Sequence, residues 1–118
     1  MSESILRDKS KVFAKEIVLL CRAMTTRRVE SALVNQLLRA GTSVGANVHE
    51  AQYAQGTKDF ISKLEIALKE TNECDFWLEL LMETQSISLE EFKQFHNYCI
   101  EIRRMIVATV TTLKSKQK

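Results

Sequence analysis

The stretch that decides the fold of this chain is residues 33–51, which read LVNQLLRAGTSVGANVHEA. Apolar or small residues recur there every three or four positions, at Leu33, Leu37, Ala40, Gly41, Val44, Val48 and Ala51. This spacing places them on one stripe of an α-helix, because a helix completes a turn about every 3.6 residues. The stripe predicts an amphipathic second helix over residues 30–55.

Three further segments show the same periodicity. Their apolar stripes predict helices over residues 4–24, 57–84 and 88–114, and the last of these begins with the capping box Ser88-Leu89-Glu90-Glu91. The chain has 118 residues with three glycines and no proline, and a β-sandwich or barrel needs more of these turn-forming residues. We therefore expect a single all-α domain over residues 1–118, folded as an antiparallel up-down four-helix bundle.

Two glycines lie inside the second predicted helix. A glycine in a helix interior costs about 1 kcal/mol relative to alanine, so a helix that keeps two of them needs a reason in its packing. Gly41 and Gly45 are one turn apart and would lie on the same side. We interpret them as the point where the second and third helices approach closely.

The third predicted helix is apolar on two faces. Ile66, Trp77 and Leu80 project away from its main apolar stripe. Because a helix of an isolated small bundle buries only one face, we predict that these three residues form an oligomer interface. For Trp77 the alternative is a platform on which a nucleic-acid base stacks.

The composition also bears on the location of the protein. No apolar run reaches the roughly 18 residues that a membrane span needs, and the first residues, MSES, do not open a secretory signal. The three cysteines, Cys21, Cys74 and Cys99, fall within helical patterns and are expected to be buried, reduced thiols. We therefore expect a cytoplasmic protein that does not contact a membrane.

Charge is segregated along the chain, although the net charge is only +2. Residues 1–40 and 93–118 carry net charges of +4 and +5, and the residues between them carry −7. The first and last helices of an up-down bundle are neighbours, so their cations are expected to share one surface. These cations are Arg7, Lys11, Lys15, Arg22, Lys93, Arg103, Arg104 and Lys114. The surface is either a solvated face or a binding site for nucleic-acid phosphates.

Motifs for catalysis or cofactor binding are missing from the sequence. The pair His49-Glu50 lacks the second histidine of a zinc-protease helix, because residue 53 is tyrosine. The sequence has no glycine cradle for a nucleotide and no nucleophile motif around a serine or cysteine. We therefore expect no metal, no cofactor, no small-molecule substrate and no enzymatic activity.

Several carboxylates are expected inside the bundle. If the second and third helices fold back on each other, Arg39 lies near Glu73. Ser43 then lies near Glu70. We interpret this group as a polar network that fixes the register of the helices, and the alternative is a proton-transfer pair of Glu70 and Glu73. Asp75 falls on the apolar stripe, so either it is paired or the predicted face is rotated.

The second and third helices together resemble a known family. The resemblance lies in QLLRAGTSVGANVHEA at residues 36–51, KDFI at 58–61, IALKE at 66–70, Glu73 and Trp77-Leu78. These residues resemble the bacterial four-helix-bundle proteins encoded in the intervening sequences of 23S rRNA genes. Many members read Ser-Asn-Ile-Ala-Glu-Gly where this chain has ANVHEA at residues 46–51, so His49 and Ala51 depart from the family form.

The resemblance implies a bundle that assembles into a homopentameric ring. It also implies similarity to the accessory variability determinant of diversity-generating retroelements, which binds nucleic acid and a reverse transcriptase. Structural roles are implied for Arg39, Asn47, Glu50, Glu70 and Glu73, and no catalytic residue is implied.

From the residues and the resemblance together, we predict a non-enzymatic, oligomeric protein that binds nucleic acid through a basic surface on helices 1 and 4. Structured RNA is the expected ligand, because a row of cations contacts phosphates without reading bases. The alternative is a scaffold ring that binds a partner enzyme such as a reverse transcriptase.

Overall fold

The computed structural model describes residues 2–116, and their side chains from residue 5 onward. The described chain forms four helices and no strand, which confirms the all-α class. Their bounds are Ser2–Thr26 for α1, Ser31–Ala51 for α2, Thr57–Glu83 for α3 and Leu89–Lys116 for α4. The links of four or five residues are too short to return along a bundle 49 Å long, so consecutive helices run antiparallel.

Each helix packs on its two neighbours in the bundle. The contacting pairs are α1 with α2, α2 with α3, α3 with α4 and α4 with α1, and within residues 2–116 no diagonal pair comes close. The α1–α4 contact is the least extensive of the four. Lys9 pairs with Glu101 there, and Arg27 pairs with Glu91, so α4 runs antiparallel to α1.

The helix ends differ from the prediction mainly at α2, which ends at Ala51 rather than at residue 55. The backbone N–H groups of Gln52, Tyr53 and Ala54 bond to carbonyls three residues back instead of four, so the chain tightens and leaves the helix. At α4 the predicted capping box is confirmed. The Ser88 hydroxyl accepts a bond of 3.0 Å from the Glu91 N–H, and Glu91 Oε1 accepts one of 2.9 Å from the Ser88 N–H.

The core is formed largely by the predicted stripes, but on α2 Val34 is buried while Leu33 is only partly buried, and on α3 Leu81 is buried although it was not on the predicted stripe. Its largest fully buried side chains are Phe13, Ile17 and Met24 of α1, Leu37, Val44 and Val48 of α2, Leu64, Thr71, Leu78 and Leu81 of α3, and Ile102 and Ile106 of α4. The Thr71 hydroxyl donates to the Ala67 carbonyl at 2.8 Å, so its burial leaves no unpaired donor.

The two helical glycines face α1, so the prediction that they bring α2 and α3 together is wrong. A Cβ atom on Gly41 would lie 2.7 Å from Cγ2 of Ile17. One on Gly45 would lie 3.1 Å from the Ala14 Cβ and 3.2 Å from the Ser10 carbonyl oxygen. The sequence shows that the glycines need a close neighbour, but both α1 and α3 flank α2 and the spacing alone does not choose between them.

We expect Gly41→Ala to lower the free energy of unfolding by about 1–3 kcal/mol, because the added methyl group overlaps the buried side chain of Ile17. In an Ile17→Ala background the obstacle is gone, and the same substitution should be neutral or stabilising through helix propensity. Urea unfolding of the four proteins measures this difference. Gly56→Ala is the control and should change little, since nothing lies within 4 Å of its added Cβ. An equal cost of Gly41→Ala in both backgrounds would contradict the contact.

Candidate nucleic-acid interface

The cations of α1 form an outward-facing row. Phe13 points into the core, and Lys11, Lys15 and Arg22 are exposed on the opposite side of the same helix. Arg7 is partly exposed and lies 3.5 Å from the Asp8 carboxylate. Among the side chains described from residue 5 onward, no carboxylate forms an ion pair with Lys11, Lys15 or Arg22. We define these four cations, Arg7, Lys11, Lys15 and Arg22, as the α1 basic row.

Two of the four predicted α4 cations pair with carboxylates of α3, contrary to the prediction that all four share one surface with this row. Arg103 donates to the Asp75 carboxylate at 3.1 Å and to the Asn72 amide oxygen at 2.9 Å, both on α3. Lys114 donates to Glu65, also on α3, at 2.7 Å. Of the predicted α4 cations, Lys93, Arg104 and Lys114 are exposed, and Arg103 is partly buried.

The reason lies in the acidic middle of the chain. Glu65 and Asp75 lie on the side of α3 that faces α4, and they draw Arg103 and Lys114 toward it. Two ion pairs bridge the contact with α4 on its other side. Lys9 of α1 pairs with Glu101 at 2.7 Å, and Arg27, just after α1, pairs with Glu91 at 2.8 Å. Opposite charges on neighbouring helices therefore pair Arg103 and Lys114 with α3, whereas Lys93 and Arg104 of α4, like the exposed lysines of α1, form no ion pair among the described side chains.

Asp75, which did not fit the predicted stripe, is paired. Its Oδ1 atom lies 2.7 Å from Nδ1 of His96, and its Oδ2 atom accepts the hydrogen bond from Arg103. The His96 ring stacks on Phe92 with centroids 5.1 Å apart and an interplanar angle of 13°. The sequence contained no signal for this cluster, because its members come from two helices and have no characteristic spacing.

The predicted network between α2 and α3 is present around Arg39. Its guanidinium donates to both carboxylate oxygens of Glu70 at 3.2 Å and also bonds to Glu73. The Ser43 hydroxyl donates to Glu70 at 3.5 Å, and the Trp77 indole N–H donates to Glu73 at 3.1 Å. These contacts lower the pKa of Glu73, with the Trp77 hydrogen bond as the largest cause and Arg39 as the next favourable one.

The residues predicted for an oligomer interface divide into two kinds. Ile66 is 40% exposed on the outside of α3. Trp77 is partly buried against the core of its own subunit, as well as bonded to Glu73, and Leu80 is also only partly exposed. Sequence reasoning missed Phe76, which is 57% exposed and packs its ring edge against Trp77.

A second exposed apolar face lies on α1. Ile5, Val12 and Leu19 are all exposed and are spaced by seven residues, so they form one row along the helix. The seven-residue spacing was visible in the sequence, but the stripe of Leu6, Phe13 and Leu20 beside it has the same spacing and is the one that is buried. Only packing distinguishes the two rows.

The comparisons with known proteins agree with this architecture. The model of the family described as 23S rRNA-intervening sequence protein matches residues 2–108. The chain belongs to this family. A crystal structure of a protein with unknown function from the S23 ribosomal protein family of Bacteroides thetaiotaomicron VPI-5482 is similar, with 41% sequence identity and a TM-score of 0.91. The match covers 94% of this chain and 99% of that one. A comparison with curated proteins found no match.

In this 23S rRNA-intervening sequence protein, the remaining motif residues have separate partners. Asn47 donates to the hydroxyl and the carbonyl oxygen of Ser43, at 3.1 and 2.9 Å, and so orients the residue that bonds to Glu70. Glu50 does not contact Arg39, since its carboxylate lies 3.6 Å from Nζ of Lys63. Glu50 therefore pairs across the α2–α3 contact but outside the network around Arg39.

The three cysteines are buried free thiols, as predicted. Burial raises the pKa of Cys21 to about 11 and raises those of Cys74 and Cys99 further. These thiols are therefore protonated at neutral pH and pack as small apolar groups. Within residues 2–116, no helix has an apolar segment long enough to cross a membrane, and no group of three potential metal ligands is found.

We expect Trp77→Phe to raise the pKa of Glu73, because the substitution keeps an aromatic ring but removes the indole donor. In the wild type the folded pKa lies below the unfolded one. Glu73 therefore stabilises the fold above its unfolded pKa, and this contribution is lost as the pH falls through the folded pKa. In the Trp77→Phe variant, Glu73 should therefore contribute less to the free energy of unfolding above its unfolded pKa.

Carbon-detected NMR titration of the glutamate carboxyl groups measures the change directly. Glu91 provides an internal control, since Arg27 and Ser88 lower its pKa and Trp77 is not among the causes of that shift. An unchanged Glu73 titration in the Trp77→Phe protein would show that the indole bond is not the main cause.

Proposed function

We propose that this protein binds nucleic acid, with structured RNA as the expected ligand, through the α1 basic row. The observation that supports the proposal is a row of exposed cations, one or two turns apart on a single helix, that have no carboxylate partner among the described side chains. Arg103 and Lys114 on α4 are engaged by α3, whereas Lys11, Lys15 and Arg22 extend into solvent without a carboxylate partner among the described side chains. Cations in a row can neutralise successive phosphates of a backbone.

The proposed role is binding without catalysis. Glu70 and Glu73, the candidates for proton transfer, are held by Arg39, and the Glu73 carboxylate also accepts a bond from Trp77. These bonds hold Glu73 in its ionised form, as its lowered pKa indicates. They support the interpretation as a network that fixes the α2–α3 register. The buried, reduced thiols fit the cytoplasmic location expected from the sequence.

We further propose that copies of the chain assemble into a closed ring, for which five subunits is the number implied by the family resemblance. Two different apolar faces support this assembly, one at Ile66 and Phe76 on α3 and one at Ile5, Val12 and Leu19 on α1. Two unlike faces on one subunit favour head-to-tail contacts, which close into a ring when the rotation allows it. A ring would also repeat the α1 basic row around its axis and so increase avidity for a long ligand.

The charge-reversal pair Lys11→Glu and Lys15→Glu should weaken binding of a labelled RNA hairpin and make the remaining affinity less sensitive to salt. Each lost phosphate contact reduces the slope of log affinity against log salt by about one unit or slightly less. Fluorescence anisotropy across a salt series measures both quantities, and a matched DNA duplex measures the preference for RNA.

The matched control reverses Lys58 and Lys69, two exposed cations of α3, and produces the same change in net charge. If both double variants weaken binding equally, only the overall charge matters and the α1 basic row is not the binding surface. If the wild type binds neither nucleic acid at low salt, the proposal is wrong, and a partner enzyme becomes the better candidate for the exposed faces.

We expect Phe76→Glu to shift the protein from its assembled mass toward the monomer in sedimentation velocity, because it places a charge in an apolar contact. Phe76 is preferred to Trp77 for this test, since the Trp77 side chain also packs against the hydrophobic core of its own subunit, and its loss could unfold the protein. Glu79→Gln, an exposed substitution on the same helix, is the control. A wild-type protein that sediments as a monomer at high concentration would overturn the ring.

A further inference from the structure

A groove between α1 and α2 lies beside the α1 basic row. It has a volume of about 370 Å³, within the range of about 300–1,000 Å³ that small-ligand clefts occupy. Its floor is made of small residues, namely Ala14, Gly45 and Ala46, and its rim carries Arg7, Lys11, Thr42, His49 and Glu50. The groove combines an apolar floor with two cations and a histidine on its rim.

The charge of the groove favours an anionic ligand. Arg7 and Lys11 reach it from α1, and His49 reaches it from α2. The one carboxylate on the rim, Glu50, lies 3.6 Å from Lys63 of α3, which offsets part of its charge. A phosphate group suits this arrangement, since a guanidinium and an ammonium group both donate to its oxygens.

An exposed aromatic side chain stands at the end of the groove. Tyr53 is 76% exposed, more than any other large apolar or aromatic side chain described, and its ring lies 5.5 Å from that of His49. It owes this position to the early end of α2, where the tightened turn after Ala51 leads the chain out of the helix. An exposed ring beside a phosphate-binding rim is the arrangement on which the bases of a single strand stack.

We propose that the α1–α2 groove binds one nucleotide unit of a single-stranded RNA segment. Arg7, Lys11 and His49 contact its phosphate, and the base stacks on Tyr53. This inference rests on the proposed function and deepens it, because it adds a subsite for an unpaired nucleotide to a row that otherwise contacts only phosphates.

The test compares two labelled probes of equal length, a twelve-nucleotide oligouridine and its abasic counterpart, which keeps the sugar–phosphate backbone but has no bases. The full-length wild-type protein should bind the oligouridine about tenfold more tightly. Tyr53→Ala should remove that preference and leave the affinity for the abasic strand unchanged. Tyr53→Phe should restore the preference, because it keeps the ring, and His49→Ala should weaken the binding of both strands.

Equal binding of the two probes by the wild type, or an unchanged preference in Tyr53→Ala, would overturn the subsite. Neither result would affect the proposed function, which is read from the salt-dependent binding of the RNA hairpin. Loss of that salt-dependent binding, by contrast, would remove both proposals. Tyr53 is exposed, so its substitution leaves the core intact, and a thermal unfolding curve for each variant checks this.

Discussion

The close packing of α1 against α2 is the constraint on which the rest of the structure depends. Gly41 and Gly45 have no side chains, so Ile17 and the backbone at Ser10 can approach the α2 helix directly. This contact fixes the rotation of α1 about its axis. With Phe13 and Ile17 directed into the core, the α1 basic row faces outward, and Gly45 also lines the groove between the two helices.

Charge distribution then determines which cations are available to a ligand. Two acidic side chains of α3, Glu65 and Asp75, face α4 and pair with Arg103, Lys114 and His96. On its other side α3 is joined to α2 through Arg39. Because exposed ion pairs contribute little to stability, the main effect of these contacts is on register and on the remaining surface potential. Exposed cations without an ion pair among the described side chains remain along α1, at Lys11, Lys15 and Arg22, and on α4 at Lys93 and Arg104.

The membership in the 23S rRNA-intervening sequence family, the basic row and the two apolar faces fit together in one physical picture. A small bundle with about 21 Å in two of its dimensions offers few cations on any one face. A ring of such bundles would present the same face several times, and binding that is weak for one copy would become strong for the assembly. The apolar faces on α1 and α3 would supply the contacts that a single subunit leaves uncovered.

The sequence by itself determined the helices, the capping box at Ser88, the core stripes and the pairing of Arg39 with Glu70 and Glu73. Local periodicity and short links dictate these features, because residues on consecutive antiparallel helices meet at predictable distances from the turn. Tertiary structure alone decided that Gly41 and Gly45 face α1, that Arg103 and Lys114 turn to α3, and that Tyr53 is exposed beside His49. The physical reason is that a helical pattern specifies which residues share a face, whereas the neighbour that this face meets depends on how all four helices rotate to bury their apolar stripes together.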